Sequence, residues 1–539
     1  GYIPIAKTTT DVLEEFVLGL TENNSIWIGS DPSSTTDTAE YNTALGYTSL
    51  DAITTGDKNV AIGAQSLTAL TTGYDNVAVG YEAGLDLTEG KENVLIGREV
   101  AANLTTGNYN TVVGYKAYMQ NAGGERNTAI GYNAMKNYTE AGSTKNVSIG
   151  MYSMFNVETG SNNVAIGYEA LYGVTGDDND GNVAVGFQAS KLNDGGDFNV
   201  SMGRQALYSN TTGTYNVALG DQAMIYAGDG TASPTGSIAI GYQAGKYPEG
   251  NYNTWVGYST GRGATATRTS NLNTAVGREA MSATLSDTEN VALGAGAMEL
   301  STASHLNVVI GRGAMNSVLT ANRNVAVGYY SLESFVGTSN TYNTALGFYA
   351  AKDLTTGVNN TILGASNDGH SLTTGSNNTF VGYEAGSINT GSYNVIMGSE
   401  AAKASTAMGS AVVIGRQAGL DLSTSNQTGV IIGALAGSSI TDGAENALLG
   451  FYAGKNGNFN YSTILGHQAG EDNTADYVTM VGWQAGAENT AGTRLTAFGA
   501  GALKTNTTGN QNVAVGYVAL GLNVHGYNNT AVGNAALYN

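Results

Sequence analysis

Cysteine is missing altogether, so neither disulfides nor thiolate-held metals are available to this chain. Proline appears only four times, and charged residues make up 12% of the sequence against about 25% in ordinary globular proteins. No run of 18 apolar residues exists, so no membrane insertion is expected. Histidine is also scarce: His305, His370, His467 and His525 occupy separate loop or post-glycine positions with no recurring acidic partner. Catalysis is therefore not expected. The charge that is present is mostly of one sign. A net −21 and a pI near 4.4 repel phosphate backbones and anionic lipid, which argues against nucleic acid as a partner.

What the chain has is glycine, 76 of its 539 residues, beside 41% hydrophobic content. That is too apolar for a disordered glycine-rich linker. Length alone suggests three or four globular domains, but the sequence is periodic instead. The stretch Thr54–Gly84 writes NVAIG and then NVAVG, each after Thr-Thr-Gly. Aligned on the closing Gly, the unit recurs about thirty times from Gly29 to Gly533, most often every 17 residues. Representative Asn and Gly positions are Asn59 and Gly63, Asn76 and Gly80, Asn110 and Gly114, Asn163 and Gly167, Asn324 and Gly328, and Asn512 and Gly516.

The residue before the Gly is large and apolar (Ile62, Val79, Ile96), and a β-branched residue stands two places earlier (Val60, Val77, Thr111). In a strand these share one face. Between them sits mostly Ala, swelling to Trp255, Phe380, Ile396 or Ile431, so the reading is a strand covered on both sides. A Tyr-x-Ala segment follows and fits a second short strand. The Gly of Thr-Thr-Gly is read as supplying the positive φ of a tight turn. The recurring Asn suits either a stacked amide ladder or simply a turn.

One such turn cannot fold alone. Ordering 17 residues costs roughly 25 kcal/mol, which calls for about 1,000 Å² of apolar burial. Stacking on neighbouring turns supplies most of it. The expected fold is all-β: a parallel β-solenoid or β-roll of about thirty 17-residue turns, intertwined or side by side as a homotrimer, with residues 25–539 as shaft. Residues 1–24 break the repeat. They form an attachment segment or a plain cap, in which Asp11 and Glu14 suit a capping box for a short helix.

The NxAφG unit with its small-residue sequel resembles the head repeats of trimeric autotransporter adhesins, the YadA-like heads, across nearly the whole chain. That resemblance implies a left-handed β-roll with three chains sharing a core. The repeats here are longer than is usual in that family. Similar NTAVGY-type repeats occur in fibre proteins of tailed phages. No export signal, heptad stalk or membrane barrel is visible, so the expectation is a phage tail or head fibre that extends from the virion and attaches to a host-surface glycan or protein. The alternative is a bacterial adhesin or appendage subunit on the cell surface.

Weaker candidates remain. The acidic loops place Asp178, Asp180, Asp194 and Asp197 one turn apart, where a calcium ion or solvated turns are the alternatives; no other cofactor is expected. The post-Gly tyrosines, among them Tyr81, Tyr115, Tyr168 and Tyr242, suit either glycan stacking or packing at a subunit boundary. Arg262 and Arg268 lie in a bulging loop suited to recognition. A hexapeptide acyltransferase is set aside, because IGYEA at 166–170 occurs once per turn and that fold needs three.

Overall fold

The computed structural model describes residues 20–22, 24–29, 36–228, 233–248, 250–263, 269–337, 340–365, 372–406, 408–422 and 429–538. It divides into two compact units, Gly1–Asn271 and Leu272–Asn539. Each is a parallel β-solenoid, and among the described residues neither contains a helix. The first unit stacks rungs from Ser25–Ile28 to Thr254–Val256, and the second from Thr274–Val276 to Thr530–Val532. Every rung strand is three or four residues long and pairs in register with the next: Val60 with Val77, Ala61 with Ala78, Ile62 with Val79. The ladder bonds are short, the Val60 N–H reaching the Asn76 carbonyl at 2.8 Å and the Gly63 N–H the Leu45 carbonyl at 2.8 Å.

Three expectations need correction. The first concerns which way the strand faces. Ala61 is fully buried, whereas Val60 is half-buried and Ile62 is 36% exposed. The middle residue points into the solenoid and the two large flanking residues point out, so within one chain the strand is covered on one side only. The swelling to Trp255, Phe380, Ile396 and Ile431 is therefore core filling.

The second correction replaces the proposed second strand. After Gly63 the backbone alternates in handedness, with Gln65 at φ 60° and Leu67 at φ 48°. The same positions are left-handed in turn after turn, filled by Glu, Lys, Tyr or Met. Such conformations cost about 1–2 kcal/mol for a residue with a side chain. They persist because they aim the Gln65 N–H at the Tyr47 carbonyl of the turn before (2.8 Å) and the Leu67 N–H at Ala83 of the turn after (3.0 Å). Inter-turn bonding continues there without a strand.

Third, the Thr-Thr-Gly glycine is needed for space and not for φ. A Cβ on Gly73 would strike the Gly90 carbonyl one turn on. The positive φ belongs to the glycine that closes the strand, as in Gly80 at 143°. Of residues 1–24, Leu20–Glu22 pairs antiparallel with the first rung, Thr21 opposite Ile26. The Asp11–Glu14 capping box lies outside the described residues.

Core volume is balanced locally. Where the strand centre is Ala497, the residue four past the closing Gly is Leu503, and both are buried. Where it is Met480, the equivalent residue is Gly486, whose Cβ would come within 2.6 Å of the Met480 sulfur. Met480→Ala and Gly486→Leu should therefore each destabilise, the first by about 2–5 kcal/mol. The double variant, which copies the neighbouring turn, should recover most of that. A double-mutant cycle on chemical unfolding tests the coupling, expected at about 1–3 kcal/mol.

Candidate functional site

Two columns of side chains define what the solenoid does: one inside, which binds turn to turn, and one outside, which is left uncovered. The inner column is Asn, four residues before the closing Gly. Asn76 is fully buried. Its N–H and Nδ2 both donate to Asn59 Oδ1 at 3.0 Å, and its Nδ2 also donates to the Gly90 carbonyl at 2.8 Å. Its own Oδ1 accepts the N–H and Nδ2 of Asn93 at 3.0 and 2.9 Å. One amide thus ties together three turns. In the first unit the chain of amides runs from Asn42 through Asn59, Asn76, Asn93 and Asn110 to Asn127. It continues through Asn146, Asn163, Asn182 and Asn199 to Asn216. In the second it includes Asn290, Asn307, Asn324, Asn343, Asn360, Asn378 and Asn394. Serine substitutes at Ser25, Ser237 and Ser462: the Ser237 N–H donates to Asn216 Oδ1, and its hydroxyl accepts the Asn253 N–H.

At two of its breaks a second column replaces it. Val478 and Leu495 stand in Asn positions. Asn489 and Asn506, seven residues past the closing Gly, then donate to the carbonyls of Gly492 and Gly509, which the missing amides would have served. Asn506 also donates to Asn489 Oδ1 at 3.0 Å and Asn523 to Asn506 at 2.9 Å. At Asn127 and Asn146 the partners are the hydroxyls of the buried Tyr118 and Tyr138. Burial raises the pKa of both phenols, keeping them protonated, and Tyr138 donates to the Gly160 carbonyl at 2.6 Å.

The outer columns are the first and third residues of each rung. Across both units they contain no Asp, Glu, Lys or Arg, although 12% of the chain is charged. Leu45 is 44% exposed, Met202 46%, Leu449 50% and Phe498 54%. The columns beside it do carry charge: Lys58, Asp75, Glu92 and Arg126 on one side, Arg98, Arg204, Arg312 and Arg416 on the other. The result is an uncharged strip with a charged and aromatic border.

The tyrosine border is largely consumed by the chain itself. Tyr115 stacks on Tyr132 at 5.2 Å between centroids, Tyr168 on Phe187 at 5.4 Å and Tyr242 on Tyr258 at 5.2 Å. Tyr81 carries the Arg98 guanidinium at 5.6 Å. Each of these rings meets a side chain of the next turn, while Tyr81, Tyr168 and Tyr242 remain exposed. Arg262 is exposed, while Arg268 and His370 lie outside the described residues.

The acidic loop residues are employed one by one. Asp180 Oδ1 accepts the Ser161 N–H at 2.6 Å, and Asp197 Oδ1 accepts the Asp180 N–H at 2.8 Å. Burial raises the Asp197 carboxyl pKa, partly offset by that bond. Asp178 and Asp194 are exposed. Among the described residues no three His, Asp or Glu side chains gather as a metal site. His305 and His525 each bond a threonine hydroxyl of the preceding turn at 2.7 Å, and His467 stacks on Phe451.

No protein-family model matches this chain, and no curated protein is similar to it.

The ladder makes a direct prediction. Asn76→Leu keeps the bulk but orphans the buried Asn93 N–H and Gly90 carbonyl, at about 1–3 kcal/mol each. Hydrogen exchange in the rungs of residues 60–96 should accelerate accordingly, while distant rungs stay unchanged. Asn76→Asp should be at least as damaging, since a donor becomes an acceptor facing the Gly90 and Asn59 oxygens.

Proposed function

We propose that this protein is a structural fibre subunit whose copies associate as a homotrimer through the uncharged strand face. The observation that carries the reading is that face itself, apolar at every rung and open to solvent in the single chain. Over the fourteen rungs of the first unit the strip is about 60 Å long and 10–15 Å wide, so roughly 600–900 Å². A stable interface needs about 800 Å² per partner. A second copy offers the same rung spacing and the same apolar composition, so contacts repeat turn by turn. In that setting the fibre extends from a virion, as a phage tail or head fibre, and presents repeated surface to a host cell, where multivalency raises avidity. The similarity of its NxAφG unit to adhesin head repeats supports a second setting, a bacterial adhesin or surface-appendage subunit.

Light scattering on the purified protein should return the mass of three chains. Replacing Ile62, Ile96 and Ile130 together by lysine buries charge at the contact, at several kcal/mol per ion, and should yield single chains. A wild-type mass of one chain overturns the association. Immunogold labelling separates the settings: label on phage particles supports the virion fibre, and label on uninfected bacterial cells supports the adhesin.

A further inference from the structure

Asp287 occupies a corner that the neighbouring turns treat very differently. Its column, seven residues before the closing Gly, holds Gly357, Gly375 and Gly391 later in the same unit. A Cβ on Gly357 would strike the Gly375 carbonyl, so the corner has almost no spare room. In the turns of Asp287 and Ser304 this column and the adjacent one turn polar. Thr284, Asp287, Ser301 and Ser304 are all buried, Asp287 completely.

Only one carboxyl oxygen is provided for. Oδ1 accepts the Ser301 hydroxyl at 2.5 Å and the Ser304 N–H at 2.7 Å. Oδ2 is buried with no protein partner among the described residues, and so is the Ser304 hydroxyl. Among the described residues no lysine or arginine forms an ion pair with Asp287. His305, one turn on, is the titratable group acting on it; its protonated form favours the ionised carboxyl, and its Nδ1 bonds Thr288 Oγ1. Glu289 of the same turn is exposed.

A buried carboxylate with one oxygen unserved and no ion-pair partner among the described residues is costly. A proton removes that cost and takes up no volume, which suits a corner closed to larger ions. We infer that Asp287 is a proton-held latch: the carboxyl sits in the fold as the neutral acid, and deprotonation loosens the corner that joins the rungs Thr274–Val276, Val291–Leu293 and Val308–Ile310.

Burial raises the Asp287 pKa from its ordinary value, with the Ser301 hydroxyl, the backbone N–H groups of Ser304 and Leu285, and His305 opposing in part. The sign follows from linkage. When the corner opens, Asp287 ionises in the ordinary carboxylate range; when closed, it holds its proton to higher pH. The latch is therefore fully set in acid and is lost as pH rises through the closed-state value. This is opposite to a salt-bridged aspartate. The inference concerns one chain's interior and stands apart from the proposed association.

The test is hydrogen exchange by mass spectrometry on the full chain between about pH 4 and pH 8, corrected for intrinsic exchange rates. Wild-type protection in residues 274–310 should fall with rising pH, tenfold for each unit by which the closed-state value is raised, while residues 496–532 stay level. Asp287→Asn, neutral and of the same shape, should flatten the profile. Infrared spectroscopy on the wild type gives a second readout: a protonated-carboxyl C=O band persisting above the ordinary range, absent in the variant. Parallel profiles in wild type and variant overturn the latch, as does a missing carboxyl band. Protection that rises on adding sodium or calcium at constant pH also overturns it, in favour of an ion. Should the variant fail to fold, the infrared titration of Asp197→Asn protein decides, because Asp197 is the other aspartate among the described residues whose carboxyl pKa burial raises.

Discussion

Each turn of this protein must bond the turn before and the turn after at one fixed spacing, because no turn contains enough apolar surface to stand alone. That constraint explains choices that look odd singly. Glycine closes each strand since two backbones meet there at carbonyl contact distance, as at Gly80 and Gly97. Glutamine, leucine and tyrosine accept left-handed backbone since it directs their N–H groups at adjacent turns. Asparagine recurs since a primary amide is the one neutral side chain that can donate twice and accept twice along a stack.

The inner amide column is thus a polar spine through an alanine-rich core, and its breaks are informative. Where Val478 and Leu495 remove it, Asn489 and Asn506 approach from the adjacent column and serve the same glycine carbonyls. At these two turns the satisfied carbonyl is held constant while the residue that satisfies it moves. The strand-centre residue and the residue four past the Gly trade volume by the same logic, Met480 with Gly486 and Ala497 with Leu503.

The period, the strand and the solenoid architecture were legible in the sequence, because a three-residue apolar pattern repeated thirty times leaves few other folds. The direction of the strand was not. Alternation says that Val60 and Ile62 oppose Ala61, but not which side is the core, and the larger pair was read as covered. Only the crowding inside a turn this small forces the small residue inward. The left-handed segments were hidden for a different reason: Gln65, Glu82 and Tyr118 are not residue types that favour such backbone, and here long-range bonding overrides local preference. The second amide column was visible at Asn473, Asn489, Asn506 and Asn523 but indistinguishable from ordinary turn asparagine. The private roles of Asp180 and Asp197 depend on which N–H lies one turn away, which spacing alone does not reveal.

Inside and outside are linked by this arrangement. A spine that satisfies polar groups within the chain leaves the outward strand residues free to be uniformly uncharged, with an apolar residue closing every rung. The account stands or falls on the amide spine. Its most direct test is side-chain amide exchange in protein labelled with ¹⁵N-asparagine. The Nδ2 protons of Asn59, Asn76, Asn93 and their column mates should exchange far more slowly than those of exposed Asn359 or Asn528. Exchange of the buried column at the rate of the exposed amides would contradict it.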